Sequence, residues 1–281
     1  MRRPLLGRIG RPLLLIPGVA LASYFLMALL PLQVQDEQKE QLPQELLSSY
    51  RKDLGIGEPL GFLRPWQKLA ARERLGTSAE GVTGTEMMEK LRGSLIIGLL
   101  ALLLSLVGAG LFAAIGTRVA NVLFAVGLGT PTFLLALLLA PETAERGVVI
   151  PTLAGAAVLA VWPTVFLGRL LARSLKSELA KDYVRAARAK GLTQREVLFR
   201  HVLPNLVPVL LDALAPVATA LLGGSFAVER VLGLPYFGQL YVMAVLKRQV
   251  AVVVVATTVF AALLALVTSA VELGRATVDP R

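Results

Sequence analysis

The chain has 281 residues, 55% of them hydrophobic and 17% charged, with a mean hydropathy of +0.68, which excludes an ordinary soluble domain and indicates a polytopic helical membrane protein. It contains no cysteine and one histidine, His201, which excludes disulfides, thiol nucleophiles and thiolate or histidine-rich metal sites. The net charge of +10 is concentrated between apolar runs, where it acts as an orientation signal and not as a nucleic-acid surface.

Six apolar segments, 12–32, 94–115, 119–140, 148–171, 205–228 and 250–273, each approach the ~20 residues that a spanning helix needs. The first follows Arg2, Arg3, Arg8 and Arg11 and contains Ala20-Leu21-Ala22, which resembles a signal-peptide cleavage site. Its apolar run continues through Leu30, a length that suits a retained anchor. Residues 33–93 form a mixed-charge extracytoplasmic segment with Pro43, Pro59 and Pro65. Short helices are expected there, with Thr85–Arg92 as an interfacial helix leading into the second span. Both a solvated connector and a partner-binding role remain open for this segment. Gly76 to Gly81 has the glycine spacing of a phosphate loop but lacks its lysine.

Small residues at the end of the second span, Gly108, Ala109, Gly110, Ala113 and Ala114, should permit close helix packing. Tight turns are expected at Gly116–Arg118 and Pro141–Gly147. Pro131 and Pro151 are tolerable in spans whose neighbours satisfy the freed backbone.

Residues 172–204 hold the most informative pattern. Leu179, Ala180, Tyr183, Val184 and Ala187 form an apolar helical face, with Lys181, Arg185 and Arg188 mostly elsewhere. Gly191 can end that helix in the left-handed conformation, and Lys190 suits its C-terminal end. Thr193 and Glu196 spell a capping box that starts a second helix. Glu196 and Arg200 then pair at i, i+4, and Pro204 limits the second helix. A capped helical hairpin between the fourth and fifth spans indicates a docking element.

In the fifth span, Asp212 lies between Pro208 and Pro216. An ionisable group there either lines a pathway or bonds backbone freed by the prolines. Glu229, at the span's end, is a second pathway candidate. A Ser225–His201 hydrolase pair is excluded, because the two lie more than ~30 Å apart at 1.5 Å rise per residue. Residues 229–249 form an extracytoplasmic loop broken at Gly233 and Pro235, with a short helix from Phe237 to Leu246. Nine Lys/Arg between Arg169 and Arg200, together with the basic start and Arg275 and Arg281, place the hairpin and both termini in the cytoplasm.

The hairpin resembles the EAA loop of binding-protein-dependent ABC transporter permeases. That loop runs Glu-Ala-Ala, three residues, Gly, nine residues, Ile-x-Leu-Pro. Here the same spacing gives Arg185-Ala186-Ala187, Gly191 and His201-Val202-Leu203-Pro204. Arg185 and His201 depart from the general pattern. Arg188-Ala-Lys-Gly-Leu192, with a histidine ten residues after the glycine, is similar to the peptide and nickel branch. Leu13-Leu-Leu-Ile-Pro17, Gly223-Gly-Ser-Phe-Ala-Val-Glu229 and Asp279-Pro-Arg281 resemble its B-type subunit. The Pro-Gly-Asp-Pro that often follows the first span is replaced by Pro31-Leu-Gln-Val. Gln249 and Thr268 stand where acidic or amide residues are usual.

The resemblance implies an all-α permease, a single domain over 1–281 with six transmembrane helices and a cytoplasmic coupling hairpin, in a bacterial inner membrane. It implies a second permease, two ATPase subunits that hold ATP and magnesium, and an external solute-binding protein. This chain would then carry no cofactor and catalyse no covalent step. Arg185, Ala186, Ala187, Lys190, Gly191, Leu203 and Pro204 are the implied ATPase-coupling residues, and the apolar face with its basic rim is the expected fit to an acidic-rimmed groove. Peptides are the first substrate expectation, nickel or another small solute such as a sugar the next. An ATPase-independent channel or secondary transporter is the alternative.

Overall fold

A computed structural model describes residues 15–26, 55, 61–76, 81–114, 122, 125, 127, 129–247 and 249–278. The helices are α1 (Leu15–Leu26), α2 (Arg64–Ala70), α3 (Gly84–Ala114), α4 (Thr132–Thr143) and α5 (Val149–Leu179). They continue as α6 (Asp182–Ala189), α7 (Gln194–Val231), α8 (Phe237–Leu246) and α9 (Val250–Val278). Among the described residues the one β feature is an isolated bridge between Leu75 and Val82. Helices α3, α5, α7 and α9 are long and apolar enough to cross a membrane, and α1, α4 and α8 are shorter apolar helices. The protein is therefore an all-α polytopic membrane protein. Of the six expected spans, the second, fourth, fifth and sixth correspond to these long helices. The first and third, and the turn at Gly116–Arg118, lie wholly or partly outside the described residues.

Two boundaries differ from expectation. The chain is extended at Pro131, with φ −63° and ψ 130°, and α4 starts only after it. Because α4 then runs through Pro141 to Thr143, the following turn is shorter than Pro141–Gly147. The Thr143 hydroxyl bonds back to the Leu139 and Ala140 carbonyls at 3.0 and 3.2 Å, which offsets fraying at that end. The helix expected at Thr85–Arg92 to lead into the second span is present and continuous with it, as the first part of α3. A second capping box holds its start, with Thr83 N–H donating to Glu86 at 3.1 Å and Glu86 N–H to the Thr83 hydroxyl at 3.3 Å.

The chain divides into two compact units, each containing part of α3 and α9. One comprises Pro4–Gly93 and Pro235–Leu266. There Tyr24 of α1 packs with Phe62, Val250 and Val254. Gly93 lets the Tyr236 ring approach so closely that a Cβ would lie 2.1 Å from it. Lys90 donates to the Pro235 carbonyl at 3.2 Å, and Tyr241 of α8 meets Thr257 of α9 at 3.3 Å. The expected short helix at Phe237 to Leu246 is present as α8.

The other unit contains Ser94–Leu234 and Val267–Arg281. Helix α7 packs along α5, and α4 packs against both. Small residues set the spacing: a Cβ on Gly168 would lie 2.6 Å from the Phe112 ring, and one on Gly108 2.8 Å from Thr164. Gly108 thus has the close-packing role expected of it.

Candidate functional site

The hairpin is built from the end of α5, α6, a turn at Gly191, and the start of α7. Gly191 has φ +83°. Its N–H donates to the Arg188 carbonyl at 3.0 Å, and the Leu192 N–H to the Ala187 carbonyl at 3.3 Å. These two bonds are a Schellman stop, which fixes where α6 ends. The capping box then starts α7: the Thr193 N–H and hydroxyl both donate to Glu196 at 2.9 Å, and the Glu196 N–H donates back at 3.3 Å. The Thr193 backbone N–H, followed by its hydroxyl, holds the Glu196 carboxyl below its ordinary pKa.

Glu196 is consumed by this cap and makes no i, i+4 ion pair with Arg200, which acts on it only through its charge. A π turn over Leu198–Val202 also changes the register, with the Leu203 N–H reaching the Leu198 carbonyl. That wide turn carries the helix past Pro204, which does not limit it. In a regular α-turn the proline ring would meet the Arg200 carbonyl. The Asn205 side chain also donates to the His201 carbonyl at 3.0 Å, within the widened turn.

Val184 and Ala187 are buried against Val197, Val202 and Leu206, with Leu171, Leu175 and Leu179 packed around them. An eight-residue helix is not stable alone in water, so this packing is what holds α6. The expected apolar face is therefore covered by the chain's own α5 and α7 and is not free for a partner. Of the implied coupling residues, Arg185, Ala186, Lys190 and Gly191 share the exposed side. Ala187 is buried and Leu203 half-buried in the hairpin core, while Pro204 is exposed further along α7. Arg188 and Arg195 are also exposed. The exposed Arg185–Asp182 pair, at 3.6 Å, contributes little.

A polar latch that the sequence did not reveal closes the hairpin's base. The Tyr183 hydroxyl donates to Glu178 at 2.8 Å and accepts from the Asn205 amide at 3.2 Å. Lys181 also bonds and ion-pairs with Glu178. The Lys181 contact, ahead of the Tyr183 bond, holds the Glu178 carboxyl below its usual pKa, and the same contact raises Lys181. Burial is the main cause that raises Tyr183.

The two pathway candidates lie far from each other on α7, about 25 Å at 1.5 Å per residue. Asp212 pairs with Arg275 of α9 at 3.0 Å, both side chains being about half exposed. Glu229 is fully buried and accepts a bond from Ser94 of α3 at 2.7 Å. Neither belongs to the hairpin, and they do not form one site. Among the described residues no cluster could hold a metal ion.

The family model for the binding-protein-dependent transport system inner membrane component matches residues 101–281. The chain belongs to this family. Its membership makes it a membrane transport subunit and not an enzyme, as the hairpin's resemblance implied. Among its relatives, the dipeptide transport system permease protein DppB of Lactococcus lactis is 25% identical over all of this chain and 99% of its own length. The DppB of Bacillus subtilis is 29% identical over 56% of this chain, and the match spans only 54% of that relative's length. The oligopeptide permease OppB of Salmonella typhimurium is 35% identical over 41% of this chain and 38% of its own. The crystal structure of an amino acid ABC transporter with histidines shares the fold, with a TM-score of 0.55 at 18% identity, covering 69% of this chain and 94% of that one.

Proposed function

We propose that this chain is the B-type permease subunit of an ATP-driven importer that moves peptides or a similar small solute. The names of its dipeptide and oligopeptide permease relatives support the substrate class. The chain acts as one permease domain beside a second, similar permease, in a bacterial inner membrane with both termini cytoplasmic. Two ATPase subunits supply ATP and magnesium chemistry, and an external binding protein delivers the solute.

The observation that carries this reading is the hairpin's division of labour. Val184 and Ala187 root it in the chain's own core, while Arg185, Ala186, Arg188, Lys190 and Gly191 remain exposed. A partner groove with an acidic rim fits this basic, small-residue side. Closure of the ATPase pair then moves the hairpin, and the bundle switches access by rigid-body movement. The test is reconstitution with and without the ATPase subunits. ATP-dependent uptake that disappears on their removal is expected. Uptake unaffected by their removal would refute the proposal and favour a channel or secondary transporter.

A further inference from the structure

Helices α4, α5 and α7 line a half-open cavity of about 260 Å³, separate from the hairpin, whose lining includes Thr130, Thr132, Trp162, Pro163, Ala220 and Gly224. Two prolines shape its backbone. The extended Pro131 precedes α4 and makes no side-chain cap. The Leu134 N–H donates to the Pro131 carbonyl at 3.1 Å, which leaves Thr132 and Phe133 as the first-turn positions whose N–H groups a helix does not itself pair. Pro163 lies within α5 and has no N–H to give the Leu159 carbonyl, itself part of the lining. At membrane depth such backbone is tolerated where it is buried in protein or lines a wet cavity.

The side chains complement this backbone. The Trp162 indole is stacked on Phe166, with centroids 5.1 Å apart and planes 7° apart, so one rigid aromatic surface is held in place. Ala220 and Gly224 are small, and a Cβ on Gly224 would lie 3.4 Å from Leu159, in ordinary contact. Aromatic surface, small α7 residues, and backbone donors and acceptors together suit an amide-bearing solute with a bulky side chain. The volume is below the ~300–1,000 Å³ of pockets for drug-sized ligands, so it takes one residue and not a whole oligopeptide.

We infer that this cavity is a transit subsite for one apolar or aromatic residue of a peptide in passage, with Trp162 contacting its side chain. Backbone groups at Thr132 and Leu159 pair with the peptide's amides. The inference rests on the peptide-importer reading. It makes the permease itself a sieve for side-chain size, apart from any selection by the binding protein.

The test uses the assembled complex in proteoliposomes and compares ATP-driven uptake of triglycine and glycyl-phenylalanyl-glycine. The same binding protein serves every variant, so its own preference cancels in each ratio to the unmodified complex. Ala220→Leu fills the cavity and should lower the phenylalanyl-to-triglycine uptake ratio by about 10-fold. Trp162→Ala should lower the ratio too, and Trp162→Phe should restore most of it. An unchanged ratio in Ala220→Leu and Trp162→Ala would overturn the inference. Equal loss of both peptides would also overturn it, by marking a packing defect. If the unmodified complex carries neither peptide, the peptide-importer reading fails first.

Discussion

Gly191 allows strain and contact to be separated. Its φ of +83° is one that L-residues rarely adopt, yet a Cβ placed there would meet nothing within 4 Å. Alanine and leucine therefore impose the same backbone penalty, about 1–2 kcal/mol, and neither clashes with this chain. That penalty lowers the population of the closed turn by roughly 5–30-fold, a perturbation that the packed hairpin core can absorb. In the assembled complex, side-chain size matters only if another protein approaches the turn. Hydrogen exchange at Lys190 and Leu192 should accelerate equally in Gly191→Ala and Gly191→Leu. ATPase co-purification and ATP-driven uptake should fall slightly in the first and severely in the second, with membrane insertion intact in both. Equal loss of association would refute the reasoning, because backbone strain alone would then explain it.

Other consequences follow from the same geometry. The Lys181 contact holds the Glu178 carboxyl below its ordinary value, so its contribution is present above that value and fades as pH falls through the depressed folded one. The bond to Glu178 raises Lys181 above the usual ammonium value, so its contribution is complete below that value and is lost as pH rises through the folded one. Limited trypsin cleavage at Arg185 and Arg188 should thus be slowest between about pH 5 and 10, and Glu178→Gln should remove the acid-side rise. Ser94→Ala withdraws a donor from the buried Glu229 and should cost about 1–3 kcal/mol, measured by thermal unfolding in detergent. Glu229→Gln combined with Ser94→Ala should recover part of it, and a fully additive double variant would contradict the pairing. Gly93→Ala places a Cβ 2.1 Å from the Tyr236 ring and should destabilise by about 1–3 kcal/mol. Tyr236→Ala in the same chain should relieve that cost, and failure to do so would contradict the contact.

The features legible in the sequence were those encoded over a few residues. Gly191, the Thr193–Glu196 cap and the Gly233 break before α8 each follow from one residue's conformational freedom or one short spacing. A second cap was equally available in Thr83-Gly84-Thr85-Glu86, and reading it would have moved the start of α3 back to Gly84. The passage through Pro204 was not legible, because no short residue pattern marks where the Leu203 N–H skips to the Leu198 carbonyl and widens the turn ahead of the proline. The Glu178–Tyr183–Asn205 latch, the Ser94–Glu229 bond and the Asp212–Arg275 pair join residues that no periodic pattern links. The apolar face of α6 was legible as a face to be buried. What covers it was not, since periodicity is the same whether the cover is another protein or the chain's own α5 and α7.

That covering strengthens the coupling proposal. A short helix that kept its apolar face free would have to order itself on binding, and part of a partner's movement would be lost in that ordering. Helix α6 is instead clamped to α5 through Leu171 and Leu175 and to α7 through Val202 and Leu206, with the Tyr183 latch closing the base. It cannot shift far without displacing both. Helix α7 then continues for 38 residues, about 57 Å at 1.5 Å per residue, past the cavity lined by Ala220 and Gly224 to the buried Glu229. A push at Gly191 thus has a stiff route into the bundle. The π turn at Leu198–Val202, Pro208 and Pro216 each interrupt regular backbone pairing on that route, and the Asn205 bonds to His201 and Tyr183 brace the first of these on its α7 side.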